Sequence, residues 1–579
     1  MSGGPEGPHY IRSDFFTDSE GLRHADWGLL TMLQIRTISI AIAALAAIAA
    51  SAQAPDPADL ILINGKVFTV DPAAPWAEAI ALRGDRIAGV GTTTAMRQRA
   101  GANTRIIDVG GRVVIPGIND AHTHVGVRPP GVVLKLNGND PTLAEVIAAI
   151  RDTIAGAPDD RWIFGTVGER WLSDPKATRF TLDDAAPGRL VKLSAWTGHG
   201  VTFSTPGLRA IGIGDRDTDP PFGRYRRTPD GVLDGRLDEY ADLRAHRRLT
   251  ALAGHDAAVA SLRRVADEAI GLGITTIQAM GNALTATDLS TMLPEAKTPI
   301  RWRVIRFPIG VTERESPADL GALPRQPTPL VTVSGVKWIL DGTPVERLSA
   351  MNLPYADRAG WTGLLNLSPT ELDAVLRLAL DTGDQPMFHI TGDRGVDLLF
   401  SSMERLAPAE PWQRLRVRIE HGEFLTRPRF QRAKRLGVIN VQNPSHLTIL
   451  DSMVARFGAE RAATVEPLKS MLEAGIPLAL GGDGPINPFL NMMFAVQHAN
   501  NPPEALTREQ VVTAYTAGSA FAESAEHDKG RLAAGMLADI AVLTQDIFTV
   551  ETNKLPATSA AMAIVNGRIV RDTLSTPSR

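Results

Sequence analysis

Eight short runs rich in β-branched and apolar residues punctuate the middle of the chain, and each ends in polar residues. They lie at 113–124, 274–278 (ITTIQ), 300–307, 334–341 (SGVKWILD), 387–391 (MFHIT), 416–421 (RVRIEH), 439–443 (INVQN) and 478–483 (LALGGD). Helical patterns separate most of them, as at 369–382 and 466–474, and Pro369 suits a first helical turn. Strands alternating with helices in this way predict an α/β chain folded as a (β/α)8 TIM barrel. In that fold, chemistry gathers at the C-terminal ends of the strands. Those ends are where this chain carries histidines, a lysine and a last aspartate.

The flanks follow a different pattern. Residues 59–70 (DLILINGKVFTV), 77–90 and 105–114 (RIIDVGGRVV) read as strands turning at Asn64-Gly65, Arg83-Gly84-Asp85 and Gly110-Gly111. At the far end, 530–543 and 560–570 read likewise. The two groups are expected to pair into a small composite β-sandwich from both chain ends. Residues 55–115 form its first part and 528–579 its second, with the barrel at 116–527. A long segment, 126–273, separates the first two barrel strands. It holds a helical pattern, the stretch 191–199 (VKLSAWTGH) and a Pro/Gly/Arg-rich hairpin at 219–234. An inserted subdomain over the strand ends is expected there, placed to shape the pocket.

Residues 32–37 (MLQIRT) are basic at Arg36, 38–50 are apolar except for Ser39, and Ala50-Ser51-Ala52 has the A-x-A form of a cleavage site. This is the pattern of a secretory signal peptide. Residues 1–54 therefore read as an N-terminal extension with a signal, with translation starting at Met32. The mature chain is expected to begin near Gln53 and to be periplasmic or secreted. The apolar run falls short of the roughly 20 residues that span a membrane, so no stable anchor is expected. A formal net charge of -4 with scattered Lys and Arg gives no electrostatic case for nucleic acid. The chain has no cysteine, which excludes disulfides, Cys-based zinc sites and a Cys nucleophile.

Within 113–125 (VVIPGINDAHTHV), strand alternation turns His122 and His124 to one face and Thr123 to the other. Two imidazoles so placed can grip one metal ion at roughly 2.0–2.1 Å each. Lys337, His389, His421 and Asp483 lie at or near other strand ends. Imidazole and carboxylate are zinc ligands. An ammonium has donors only and cannot coordinate a cation. Lys337 could do so only as a carbamate formed with carbon dioxide, an anion with two oxygens suited to bridging two metals. Core histidines and a salt-bridged lysine are the alternative reading of these residues.

Six motifs carry a resemblance: PGINDAHTH (116–124), VKWILDG (336–342), FHITGDR (388–394), RIEHGEF (418–424), GGDGPINP (481–488) and GMLADIAVL (535–543). Together they resemble the amidohydrolase superfamily, in its branch called amidohydrolase family 3, over nearly everything after Ala54. That branch includes N-substituted formamide deformylase-like metal-dependent hydrolases. The resemblance implies a barrel with a composite β-sandwich and a hydrolytic site of one or two metals, expected as Zn2+ with other divalent ions open. It implies that His122, His124 and Asp483 hold the first metal, that Lys337 is the carboxylated bridge, and that His389 and His421 hold the second. Some relatives bridge with a cysteine, and this chain has none. Gly482-Asp483 stands where relatives often have Ser-Asp, and Gln278 and Met280 stand where they often have His or Asp, which leaves the substrate open.

The expected function is a metal-dependent hydrolase that cleaves an amide or related non-peptide C–N acyl bond by attack of metal-bound hydroxide. Asp483 is the expected base and then acid. His199, Arg394, His446 and Asn487 are candidate contacts to a small-molecule substrate. A homo-oligomer stays open. Hydrolysis of esters, lactones or phosphoesters on the same site, and ring deamination, are alternatives. A non-catalytic binding protein on this fold is an alternative of another class, disfavoured because all six candidate ligands are kept.

Overall fold

The eight runs form one parallel sheet in the computed structural model, which describes residues 56–574 apart from 157 and 159. The chain from Pro57 onward makes up one compact body. The expected signal peptide and the start at Met32 lie outside the described residues. The barrel strands are β1 (Ile118–His124), β2 (Ile274–Met280), β3 (Arg301–Arg306), β4 (Val331–Ile339), β5 (Pro386–Ile390), β6 (Arg418–His421), β7 (Ile439–Gln442) and β8 (Leu478–Leu480). Each pairs in parallel with the next in sequence, which makes a nearly closed TIM-like barrel.

The seam between β8 and β1 closes through the residues just after β8. The Asp483 amide donates to the His122 carbonyl at 2.8 Å, and the Gly482 amide donates to the Asp120 carboxylate at 3.0 and 3.1 Å. Gly481 makes this approach possible, since a Cβ there would lie 2.5 Å from the backbone nitrogen of His122. Closure therefore delivers Asp483 to the histidines of β1.

The first run differs from the single strand expected at 113–124. Val113–Pro116 and Ile118–His124 are separate strands. The former pairs with Lys66–Phe68 and with Ile540–Leu543, outside the barrel. Gly117 divides them: its amide donates to the Asp539 carbonyl, and a Cβ would collide with the Thr275 side chain at 2.1 Å. The strand Val113–Pro116 lies in a six-stranded sheet that joins N-terminal strands to Ile540–Leu543, Ala560–Val565 and Arg568–Asp572. A four-stranded sheet of Ala58–Ile63, Ala79–Arg83, Arg86–Gly91 and Ala100–Asp108 lies against it. Leu62, Ile80, Val114, Val542 and Ile564 share the core between them.

Helix Pro369–Thr382 has the bounds its sequence suggests. The Ser368 side chain accepts from the Glu371 amide while the Glu371 carboxylate accepts from the Ser368 amide, a reciprocal cap. Gly383 ends it at φ 70. The helix expected at 466–474 begins instead at Leu468, because Glu466 sits at φ 47 and Pro467 forms the cap. Between β1 and β2, six strands from Gly131 to Glu239 make a separate mixed sheet. Its strands Gly223–Arg227 and Leu233–Glu239 form an antiparallel hairpin. Helix His255–Gly271, late in the same segment, instead packs Leu262, Ala266 and Ala269 into the barrel core. Among the described residues no helix is long and apolar enough to cross a membrane.

Candidate metal centre

Side-chain alternation along β1 places His122 and His124 on one face, with their Nε2 atoms 3.2 Å apart. His122 is fully buried. Its Nδ1 lies 2.7 Å from Glu420 Oε2. Glu420 is itself held by Arg418, at 2.7 Å to one oxygen and 3.0 Å to the other. The carboxylate accepts the Nδ1 proton, so Nε2 is left as a bare lone pair. That nitrogen and His124 Nε2 lie 3.5 and 3.3 Å from the same oxygen of Asp483. Burial and the Lys337 charge push His122 down to about 4, so its ring is neutral at neutral pH.

His421 and Asp483 reach the cluster through unusual backbone. They sit at φ 70 and φ 52, left-handed conformations that side chains seldom adopt. On a regular strand His421 would face away from its neighbour Glu420; the turn at its own Cα lets both serve the centre. His421 Nδ1 lies 2.9 Å from Asn443 Oδ1. Asn443 Nδ2 donates to the Gly481 carbonyl, which fixes the amide with its oxygen toward the histidine. His122, His421 and Asp483 each present a ligand atom within 4.8 Å of the others.

His389 on β5 packs its ring 4.5 Å from that of His421. Its Nε2 is buried with no hydrogen-bond partner. Lys337 on β4 is buried, and its ammonium makes no hydrogen bond or ion pair among the described residues; its Nζ lies 5.9 Å from the centroid of the Phe307 ring. Burial lowers it to about 8, against the pull of the Glu420 and Asp483 charges. Although burial favours the neutral acid, the surrounding imidazoles, His122 first, hold the Asp483 carboxyl well below its usual range.

His124, Lys337, His389, His421, His446 and Asp483 line one cavity of 600 Å³. The inserted segment supplies part of its wall through Trp196 and His199. His199 Nδ1 is 3.1 Å from Glu239 Oε2, and its ring centroid lies 4.3 Å from that of His389, the planes tilted by 41°. His446 Nε2 is 3.4 Å from Asp483 Oδ2, and its Nδ1 is 3.1 Å from Glu423 Oε1. Two of the expected substrate contacts are not brought to this wall. Arg394 spends its guanidinium on the carbonyls of Thr362 and Gly363. Asn487 caps helix Pro488–Gln497, accepting from the amides of Phe489 and Leu490, and donates to the Pro556 carbonyl. Both lie within site motifs, but Arg394 gives Nη2 to backbone and keeps Nε buried without a partner, Asn487 gives its amide to backbone, and neither lines the cavity.

Glu420, Glu423 and Glu239, which hold His122, His446 and His199, are not among the residues expected from the sequence. The signal for Glu420 was present, since Arg418 and Glu420 share a strand face and pair there. Nothing local marks Glu239, whose partner is on another segment.

These donors fit a cation. A buried imidazole nitrogen without a partner at His389, and two facing nitrogens at His122 and His124 beside one carboxylate oxygen, are costly unless something shares their lone pairs. The carboxylate behind His122 is the usual support for a metal-binding histidine.

A model of the amidohydrolase family matches residues 105–571. Among curated relatives, the chain is 27% identical over 545 residues to Protein LONG AFTER FAR-RED 3 of Arabidopsis thaliana, covering 88% of this chain and 91% of that protein. It is 26% identical over 542 residues to N-substituted formamide deformylase of Arthrobacter pascens, covering 88% and 97%. Among solved structures, an uncharacterized metal-dependent hydrolase from Pyrococcus horikoshii OT3 superposes with a TM-score of 0.66 at 20% identity, over 85% of this chain and 99% of that one, which is a likeness of fold.

Proposed function

The chain belongs to the amidohydrolase family, and on that premise we propose that it is a zinc-dependent hydrolase of an amide or related non-peptide C–N acyl bond in a small molecule. The observation that carries this reading is the convergence of the His122, His124 and Asp483 donor atoms at the mouth of the barrel, with His389, His421 and Lys337 around the same cavity. The relative in Arthrobacter pascens, by its name a deformylase of N-substituted formamides, supports the choice of bond.

His122, His124 and Asp483 would hold one ion, and His389, His421 and a carbamate on Lys337 a second, supplying Lewis acidity toward water and an acyl carbonyl. Lys337 suits that modification: a buried amine with no ion partner and a lowered pKa of about 8 has a neutral fraction able to attack carbon dioxide. Asp483 would take a proton from water and return it to the departing amine. Its second oxygen faces His446, and Glu423 holds that ring in register. His199, held through Nδ1 by Glu239, presents its other edge to the cavity and can donate to the carbonyl oxygen as charge develops there. Trp196 adds an apolar wall to the same cavity.

The test joins metal analysis of the purified chain with a screen of N-formyl and N-acyl amines, N-acyl amino acids and lactones. Zinc bound in near-stoichiometric amount, turnover of acyl amines above the others, and a labelled carbamate signal on Lys337 after exposure to 13C-bicarbonate are expected. Preferred turnover of lactones, or a protein that binds no divalent metal, would refute the reading. Export is part of the same proposal and is checked by sequencing the mature N-terminus, expected near Gln53.

A further inference from the structure

A second cavity, of 930 Å³, lies beside the first, and His246 and Thr166 line both. Its floor is the inserted sheet. Phe164 pairs with Lys192 and Thr166 with Ser194 across two neighbouring strands, so these four side chains share one face. Arg128, Lys192 and Arg264 bring positive charge to its wall, and no acidic residue lines it.

Lys192 is the unusual member. It is 4% exposed. Its Nζ bonds His246 Nε2 at 3.1 Å. An ammonium has three donors, and a neutral imidazole takes one without supplying charge. The acid that offsets its burial is Asp242, which does not line this cavity. Asp242 Oδ1 is buried without a hydrogen-bond partner and stands 3.8 Å from His246 Nδ1. Arg128 lies with its guanidinium 5.0 Å from the Phe164 ring centroid and forms no ion pair among the described residues. A buried cation is stable only when an anion comes to it. Buried Lys192, whose one opposing charge lies outside the chamber, and Arg128 on its exposed side, each without an ion pair among the described residues, leave room for an anion supplied from outside.

We propose that this chamber receives the carboxylate of the substrate, held by Lys192 and Arg128, while the acyl group reaches the metal centre past His246. The substrate class is then an acidic N-acyl compound, such as an N-acylated amino acid, rather than a neutral amide. A guanidinium and an ammonium side by side suit a planar carboxylate, with the hydroxyls of Thr166 and Ser194 as further donors. The proposal rests on the hydrolase reading only for the end of the molecule that enters the metal cavity.

Calorimetric binding separates the two claims, because it reads the anion site without turnover. The probes are ω-acetamidoalkanoates of increasing chain length and their neutral carboxamides, titrated into the full-length protein with its metal content measured. One chain length is expected to bind roughly tenfold or more tighter as the acid than as the carboxamide. That preference should fall toward unity in Lys192→Met and in Arg128→Met; Arg128 is exposed, so its substitution leaves folding out of the question. Equal binding of acid and carboxamide, or no binding of any probe, overturns the proposal. So does a preference that survives both substitutions, which would mean direct capture of the carboxylate at the metal centre. Acid preference that both variants abolish, in a protein that hydrolyses none of the probes, upholds the anion site and counts against the hydrolase reading instead.

Discussion

Four imidazoles crowd one carboxylate in this molecule: His124 and His122 approach one oxygen of Asp483, and His446 and His421 the other. In the proposed reaction that sharing would divide the residue's work between holding a cation and moving a proton. Asp483→Asn keeps an oxygen for the cation but has no basic site for a proton. Turnover is expected to fall by at least about 10²–10⁴-fold, with part of the bound metal retained, as measured by kcat and metal content on the same preparation. Near-normal kcat at full metal content would place the base elsewhere, with His446 next to be tested. At this scale the paired histidines of β1 are legible in the sequence, because a two-residue period determines which side chains share a face. Among the supporting glutamates, Glu420 has a local sign in its pairing with Arg418 on one strand face, whereas Glu423 and Glu239 take their roles from His446 and His199, remote in sequence. Arg394 and Asn487, polar residues within site motifs, bond to nearby backbone and do not line the metal cavity.

The elements matter through their ends. His421 and Asp483 terminate barrel strands in left-handed conformations, each costing of order 1–3 kcal/mol, which the hydrogen bonds of Asn443 and the seam beside them offset. Gly481 is the tightest point of that seam, so Gly481→Ala should push β8 away from His122. A loss of about 1–3 kcal/mol in stability is expected, with bound metal falling alongside it. A thermal melt and a metal assay together check this, and retained metal in a destabilised variant would uncouple the seam from the centre. Ser368→Ala makes a contrast at a helix start away from the metal cavity. It removes a reciprocal helix cap and should cost about 1 kcal/mol in denaturant unfolding without changing kcat. The limits of that helix were readable because Ser, Pro, Glu and Gly carry the start and stop signals locally. The break at Gly117 was not, since the Thr275 side chain that forces it is far along the chain.

For the whole molecule, the proposed ligands, drawn from β1, β5, β6 and the residues after β8, would make a bound metal a tie across the barrel. Chelation should therefore lower the thermal midpoint, and added zinc should restore it. An ion present at about 1,000 times its Kd stabilises the folded state by roughly 4 kcal/mol. An unchanged midpoint after verified metal removal would show that the barrel closes without the tie. What the sequence determined by itself was the periodic part: eight strands and their order, the β segments at both ends, the six residues at strand tips, and the family these resemble. Periodicity and capping are local, and a barrel turns local order directly into neighbourhood. Only the tertiary structure decided which carboxylate stands behind which histidine, where the first strand breaks, and that Lys192 and Arg128 face a chamber next to the metal cavity. Those facts depend on contacts between segments remote in sequence, where burial and the need to pair every charge select one partner among many that composition allows.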